Sequence, residues 1–184
     1  MRKFITLIAM IVLAAGLHAQ KDVTKFLGIP VDGTKSAMIQ KLKAKGFTYN
    51  QKDDLLEGEF NGEKVNIAIA TQGNKVWRIM VVDQTSRNAS QIRIRFNNLL
   101  SQFENNSKYV SLEPNKMIEE GENISYGITV EKKEYEADFF QKQADGSING
   151  KNVVWFKITE HFYSNYCILL FYDNGNNAAN GEDL

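Results

Sequence analysis

Residues 55–71 read LLEGEFNGEKVNIAIAT, and this stretch decides what kind of fold the chain can adopt. Apolar and polar residues alternate on both sides of Asn61-Gly62, the dipeptide that best suits a two-residue turn between antiparallel strands. Such a turn pairs Phe60 with Glu63 and Leu56 with Ile67. Leu56, Phe60, Val65, Ile67 and Ile69 then share one face. A three-residue turn at Gln72-Gly73-Asn74 sets Trp77, Ile79 and Val81 opposite them, while Glu57, Glu59, Lys64, Asn66, Arg78 and Met80 fall on the other face. The period of two predicts a three-stranded meander with one apolar face that a helix must cover.

The preceding stretch supplies that helix. In FLGIPVDGTKSAMIQKLKAKGF, residues 26–47, Pro30, Asp32 and Gly33 make a turn, and Thr34 or Ser36 can cap a helix N-terminus. Met38, Ile39 and Leu42 fall on one side. Lys41, Lys43 and Lys45 lie outward or toward the C-terminal end, where positive charge is favoured, and Gly46 followed by Phe47 is a stop.

The pattern then begins again. After Thr85 or Ser86, Ile92, Phe96, Leu99, Leu100 and Phe103 recur at helical spacing, a stronger amphipathic helix than the first. Strands are expected at ISYGITVE (124–131), YEADFFQK (135–142), VVWFKITEHF (153–162) and YCILLFY (166–172), with the last two joined at Ser164-Asn165. QADGSINGKN (143–152) reads as a long loop. The expected fold class is α+β, two tandem units, each a helix packed on an antiparallel β-meander, spanning residues 20–84 and 85–173. DNGNNAANGEDL has no apolar periodicity, so residues 174–184 are expected to form a flexible tail.

Residues 1–20, MRKFITLIAMIVLAAGLHAQ, combine Arg2 and Lys3 with an apolar run too short for a membrane span and a small residue at Ala19. That is the secretory signal pattern, with cleavage expected after Ala19 and a periplasmic or secreted product. Removing Arg2 and Lys3 leaves 20 basic against 22 acidic side chains, a net charge of −2. Such a surface offers no electrostatic drive toward nucleic acid. Cys167 is the only cysteine, so neither an internal disulfide nor a Cys-rich zinc site is available. Its apolar context reads as a buried thiol.

The order of elements, carried by Gly33, Met38, Leu42, the Gly46-Phe47 stop and the Asn61-Gly62 hairpin, resembles the beta-lactamase-inhibitor-protein-like fold. It is also similar to the related small lipoprotein of the outer-membrane barrel assembly machinery, and looks like that of small exported bacterial envelope proteins. The resemblance covers residues 26–173. It implies a protein that binds other proteins through sheet surfaces without a catalytic centre. It assigns no individual functional residue.

The residues themselves point away from catalysis. His161 is the only histidine after the expected signal segment, and Glu160 would point to the opposite sheet face. Motifs for a nucleophile elbow, a zinc protease helix, a phosphate loop or a dinucleotide fold are absent from the sequence. Asp53-Asp54 and Glu119-Glu120 sit in turn-like context, and no cofactor is expected. A hairpin closed at Ser164-Asn165 places Ile158, Glu160 and Phe162 with Cys167, Leu169 and Phe171 on the core side. The opposite side then carries Trp155, Lys157, Thr159, His161 and Tyr163 beside Tyr166, Ile168, Leu170 and Tyr172. The expected binding surface is therefore Trp155, Lys157, His161, Tyr163, Tyr166 and Tyr172, with an envelope or extracellular protein as partner. A glycan stacking on the same aromatics is the alternative, and a carboxylate-dependent hydrolase a further one.

Overall fold

The computed structural model of the chain describes residues 23–162 and 165–179. The expected signal segment, Tyr163 and residues 180–184 lie outside them. A hairpin of β1 (Lys25–Phe26) and β2 (Ile29–Pro30) leads into α1 (Lys35–Lys43), β3 (Thr48–Asn50), β4 (Leu55–Phe60), β5 (Glu63–Gln72) and β6 (Lys75–Asp83). Then follow α2 (Ala89–Glu104), β7 (Tyr109–Ser111), α3 (Ile124–Thr129), β8 (Glu136–Lys142), β9 (Ile148–Phe162) and β10 (Asn165–Asn174). Strands β3 to β10 form one eight-stranded sheet in the order β3-β4-β5-β6-β10-β9-β8-β7, antiparallel throughout.

A single row crosses this sheet as Leu56, Ile67, Val81, Leu170, Phe156 and Ala137, each paired with the next. A second row runs Ile69, Ile79, Tyr172, Val154 and Phe139. All of these side chains are buried, and they form one core with Met38 and Leu42 of α1 and Ile92, Phe96, Leu99, Leu100 and Phe103 of α2. The helices therefore cover one sheet face. α1 is capped by the Thr34 hydroxyl, and its Met38 and Leu42 face inward, as the spacing predicts. α2 buries all five residues read from its periodicity. Its cap is Asn88, exchanging hydrogen bonds with Gln91. Residues before the cap are used differently, since Arg87 pairs with Tyr166 through both backbone bonds, at 2.8 and 2.7 Å.

The Asn61-Gly62 hairpin has the expected register, with positive φ at both turn residues. The next turn holds two residues, Gly73 and Asn74, not three. The extra residue is taken up in β6 as a bulge opposite Ala70 and Thr71, which puts Val76 into the core and leaves Trp77 out of it.

Three larger differences concern the second half. ISYGITVE forms α3, not a strand, because the Asn123 side chain accepts the Tyr126 N–H as an N-cap and Gly127 lets Tyr135 pack against the helix. The segment 143–152 is only briefly a loop. Gly146, at φ 84°, closes a turn and β9 already begins at Ile148. Finally, the register of the hairpin between β9 and β10 differs from the one expected. It pairs Asn165 with Phe162 and carries a bulge before Tyr166, so Tyr166 lies opposite Glu160 and Ile168 opposite Ile158. The expected turn would have put Tyr166 opposite Tyr163. A displacement of three residues is odd, and an odd shift moves every side chain of one strand to the other face.

Candidate functional site

That register separates the six residues expected to form one surface. Trp155, Lys157 and His161 lie on the sheet face away from the helices. Tyr166 and Tyr172 lie on the helix face, 0% and 4% exposed, and belong to the core. The Tyr172 ring sits 4.9 Å from Phe26. Its phenol is held well above its ordinary pKa by burial, with the Tyr109 charge and hydroxyl adding to it. Tyr163 falls outside the described residues. His161, near the end of β9, is exposed, and its Nδ1 shares a hydrogen bond with the Ser86 hydroxyl. Lys157 reaches toward Glu134 at 3.9 Å.

No described helix covers the face that carries Trp155. Its central row is Ala68, Met80, Phe171, Trp155 and Asp138, and the neighbouring row is Ala70, Arg78, Asp173, Val153 and Phe140. On the other flank stand Asn66, Val82, Leu169, Lys157 and Glu136. Arg78 and Met80 are on the face their alternation predicts. Phe171, Leu169 and Asp173 arrive only through the corrected register of β10.

The centre of this face is a fixed cluster. Arg78 donates Nε and Nη2 to the two carboxylate oxygens of Asp173, each at 2.6 Å, and the Trp155 indole N–H donates to the same carboxylate at 2.9 Å. The Trp155 ring stacks on Phe171 with centroids 4.0 Å apart and planes 15° from parallel. The Arg78 guanidinium carbon lies 4.3 Å from the Trp77 ring centre, 4.8 Å from Phe171 and 5.4 Å from Trp155. A planar cation held by a bidentate carboxylate and lying over three rings combines charge-assisted hydrogen bonds with cation–π attraction. The cluster is largely aromatic, and Arg78 and the Trp155 indole both donate to the Asp173 carboxylate within it.

Toward β8 the same face becomes acidic. Burial raises the Asp138 carboxyl pKa, and Glu113 adds to the shift. Burial likewise raises Glu136, helped by Asp138 and Glu134 and opposed by Lys157. Cys167, buried beside the chain segment that follows β6, has its thiol pushed up to about 11, chiefly by burial, then by Asp83 and against Arg87. Among the described residues, no three His, Cys, Asp or Glu side chains converge as metal ligands, and no helix is long and apolar enough to cross a membrane.

Comparison of the chain with protein-family models, with curated proteins and with solved structures finds no match.

Proposed function

We propose that the chain is an exported, non-catalytic binding module, built of two helix-and-meander halves, that recognises a protein partner through the uncovered sheet face. The observation that carries this reading is the one-sided coverage of an eight-stranded sheet whose open face holds Trp77, Arg78, Trp155, Phe171 and Asp173 in one fixed cluster. Ordered aromatic and arginine side chains lose little freedom on association, and they are the residue types that anchor protein interfaces. The acidic groups of β8 on this face favour a partner with basic groups beside an apolar patch. The alternative of a glycan ligand is less well supported. Phe171 and Arg78 pack on the Trp155 ring and compete for the surface on which a sugar would stack.

The test is site-specific photo-crosslinking in the exported chain, with the crosslinker at Met80 or Lys157 on the open face and at Ile94 on α2. A single protein adduct from the first two positions and none from Ile94 is the expected result. Leu169→Glu, checked for folding by circular dichroism, should abolish it. Adducts only from Ile94, or adducts unaffected by Leu169→Glu in the folded variant, would refute the assignment of the face.

A further inference from the structure

On the helix side, between the β1–β2 hairpin and the C-terminal end of α2, lies a cleft of about 770 Å³, within the range of small-molecule sites. Its apolar lining comes from Phe60, Leu99, Phe103, Tyr109 and Tyr172, residues supplied by β4, α2, β7 and β10. Around this lining stand three lysines, Lys25, Lys108 and Lys142, against one carboxylate, Glu59. None of the three lysines forms an ion pair among the described residues. We infer that this cleft binds a small amphipathic organic anion, its apolar body on the aromatic lining and its acidic head among the lysines.

The lysines share a common frame. The Gln141 side chain accepts the Lys25 backbone N–H at 2.6 Å and donates to the Lys25 carbonyl at 2.9 Å, while also donating to the Tyr109 hydroxyl at 3.2 Å. The next residue along β8, Lys142, donates its backbone N–H to the carbonyl of Lys108 at 2.8 Å. One short stretch of β8 thus fixes the chain positions of all three cations around the same opening. Three lysines without an ion-pair partner among the described residues, lining one opening beside low-dielectric walls, create a positive potential there that favours an anion.

The hairpin tip supplies a second, independent observation. Leu27, at φ 52°, occupies the left-handed region and is 38% exposed at the cleft. That conformation costs a non-glycine residue about 1–2 kcal/mol, and Asn or Gly serves a turn of this kind at less cost. Stability alone would not select leucine here. An apolar side chain at the mouth is explained if it contacts the apolar body of a bound molecule.

The experiment is titration of the full chain with decanoate and with 4-phenylbutyrate, followed by calorimetry and by amide chemical shifts, with decanol as the neutral control. Expected is saturable binding of at least one acid, with shifts at Leu27, Phe103 and Tyr109 and none at the Trp77 and Trp155 indoles. That acid should discriminate against Lys25→Gln/Lys108→Gln/Lys142→Gln by about tenfold or more in Kd, whereas decanol should not. Leu27→Asn should raise the unfolding midpoint while weakening the acid. Absence of saturable binding by both acids overturns the inference. So do shifts confined to other surfaces, or equal affinity for the folded triple variant.

Discussion

Tyr172→Ala and Trp155→Ala separate two incompatible registers of β9 and β10. In the observed register Tyr172 is 4% exposed, flanked in its row by Ile79 and Val154, and packed on Phe26. Truncating a buried aromatic to alanine costs about 3–5 kcal/mol from lost burial and the cavity left behind. Trp155 lies on the open face, only partly buried. Its truncation loses the stack on Phe171 and one hydrogen bond to Asp173, together about 1–3 kcal/mol. The Tyr172 variant should therefore be the less stable by about 2 kcal/mol, which at a urea dependence of about 1–3 kcal/mol per molar separates the two midpoints by roughly 1 M. Equilibrium urea unfolding read by far-ultraviolet circular dichroism is the appropriate assay, because the fluorescence of a Trp155 variant is itself altered. Equal losses, or a larger loss at Trp155, would show that Tyr172 is not in the core and that the hairpin turns at Ser164-Asn165 after all.

Further outcomes follow from individual contacts. Gly58→Ala should destabilise by about 1–3 kcal/mol, since a Cβ there would meet Phe47 Cδ1 at 2.5 Å; the double variant with Phe47→Ala should cost less than the two losses added, in a urea-unfolding cycle. Asp138→Asn should stabilise the protein at neutral pH. The folded carboxyl holds its proton to higher pH than the unfolded one, so the folded state binds more protons between the two values and the wild-type chain loses stability as pH rises through that window. The gain from Asp138→Asn should accordingly vanish as pH falls below the unfolded carboxyl range, and a gain that persists there would reject the burial explanation. Cys167, 1% exposed with its thiol raised to about 11, should resist iodoacetamide at pH 8 in the native protein and react on adding denaturant. Rapid native labelling would mean that the segment of residues 84–88, bonded to β10 through Arg87, opens readily.

What the sequence disclosed was what local chemistry determines. The alternation around Asn61-Gly62 and the helical spacing from Ile92 to Phe103 are each readable within one element, and both formed as read. The register of β9 against β10 is a different kind of quantity. In β10 both phases are apolar, Tyr166, Ile168, Leu170 and Tyr172 alternating with Cys167, Leu169 and Phe171, and a one-residue difference in the turn combined with a bulge reverses the faces. The candidate site inherits this ambiguity: Trp155 is legible, Tyr166 and Tyr172 are misplaced with their strand, and Asp173 carries no local sign of its role because its partner Arg78 is 95 residues away. The carboxamides were equally hard to interpret. Asn97, within the expected second helix, and Gln141, within an expected strand, show no local sign of a partner, yet Asn97 clamps both backbone groups of Ile118 at 2.9 Å, and Gln141 bonds both backbone groups of Lys25. Asn174 and Asn177 likewise bond Val31 and Val76, tying down the start of the stretch expected to be a loose tail. Each pairing joins positions that no local pattern relates.

An uncovered sheet face rich in apolar side chains must be stabilised in the absence of a partner, and the Arg78 cluster shows how. The guanidinium is weakly hydrated on its faces and polar at its edge, so it can lie over rings while its N–H groups satisfy Asp173. Phe171 is thereby only 6% exposed although no described helix covers it. Trp155 seals the other side of Phe171 and directs its own N–H to the same carboxylate. The arrangement reduces exposed aromatic area without supplying a second layer of structure. A partner that docks there would meet side chains already in place, so little of its binding energy would be spent on ordering them. The same logic predicts what Asp173→Ala would do: released from its carboxylate, Arg78 would leave the rings for water, and the face would become both more exposed and less ordered before the fold itself was lost.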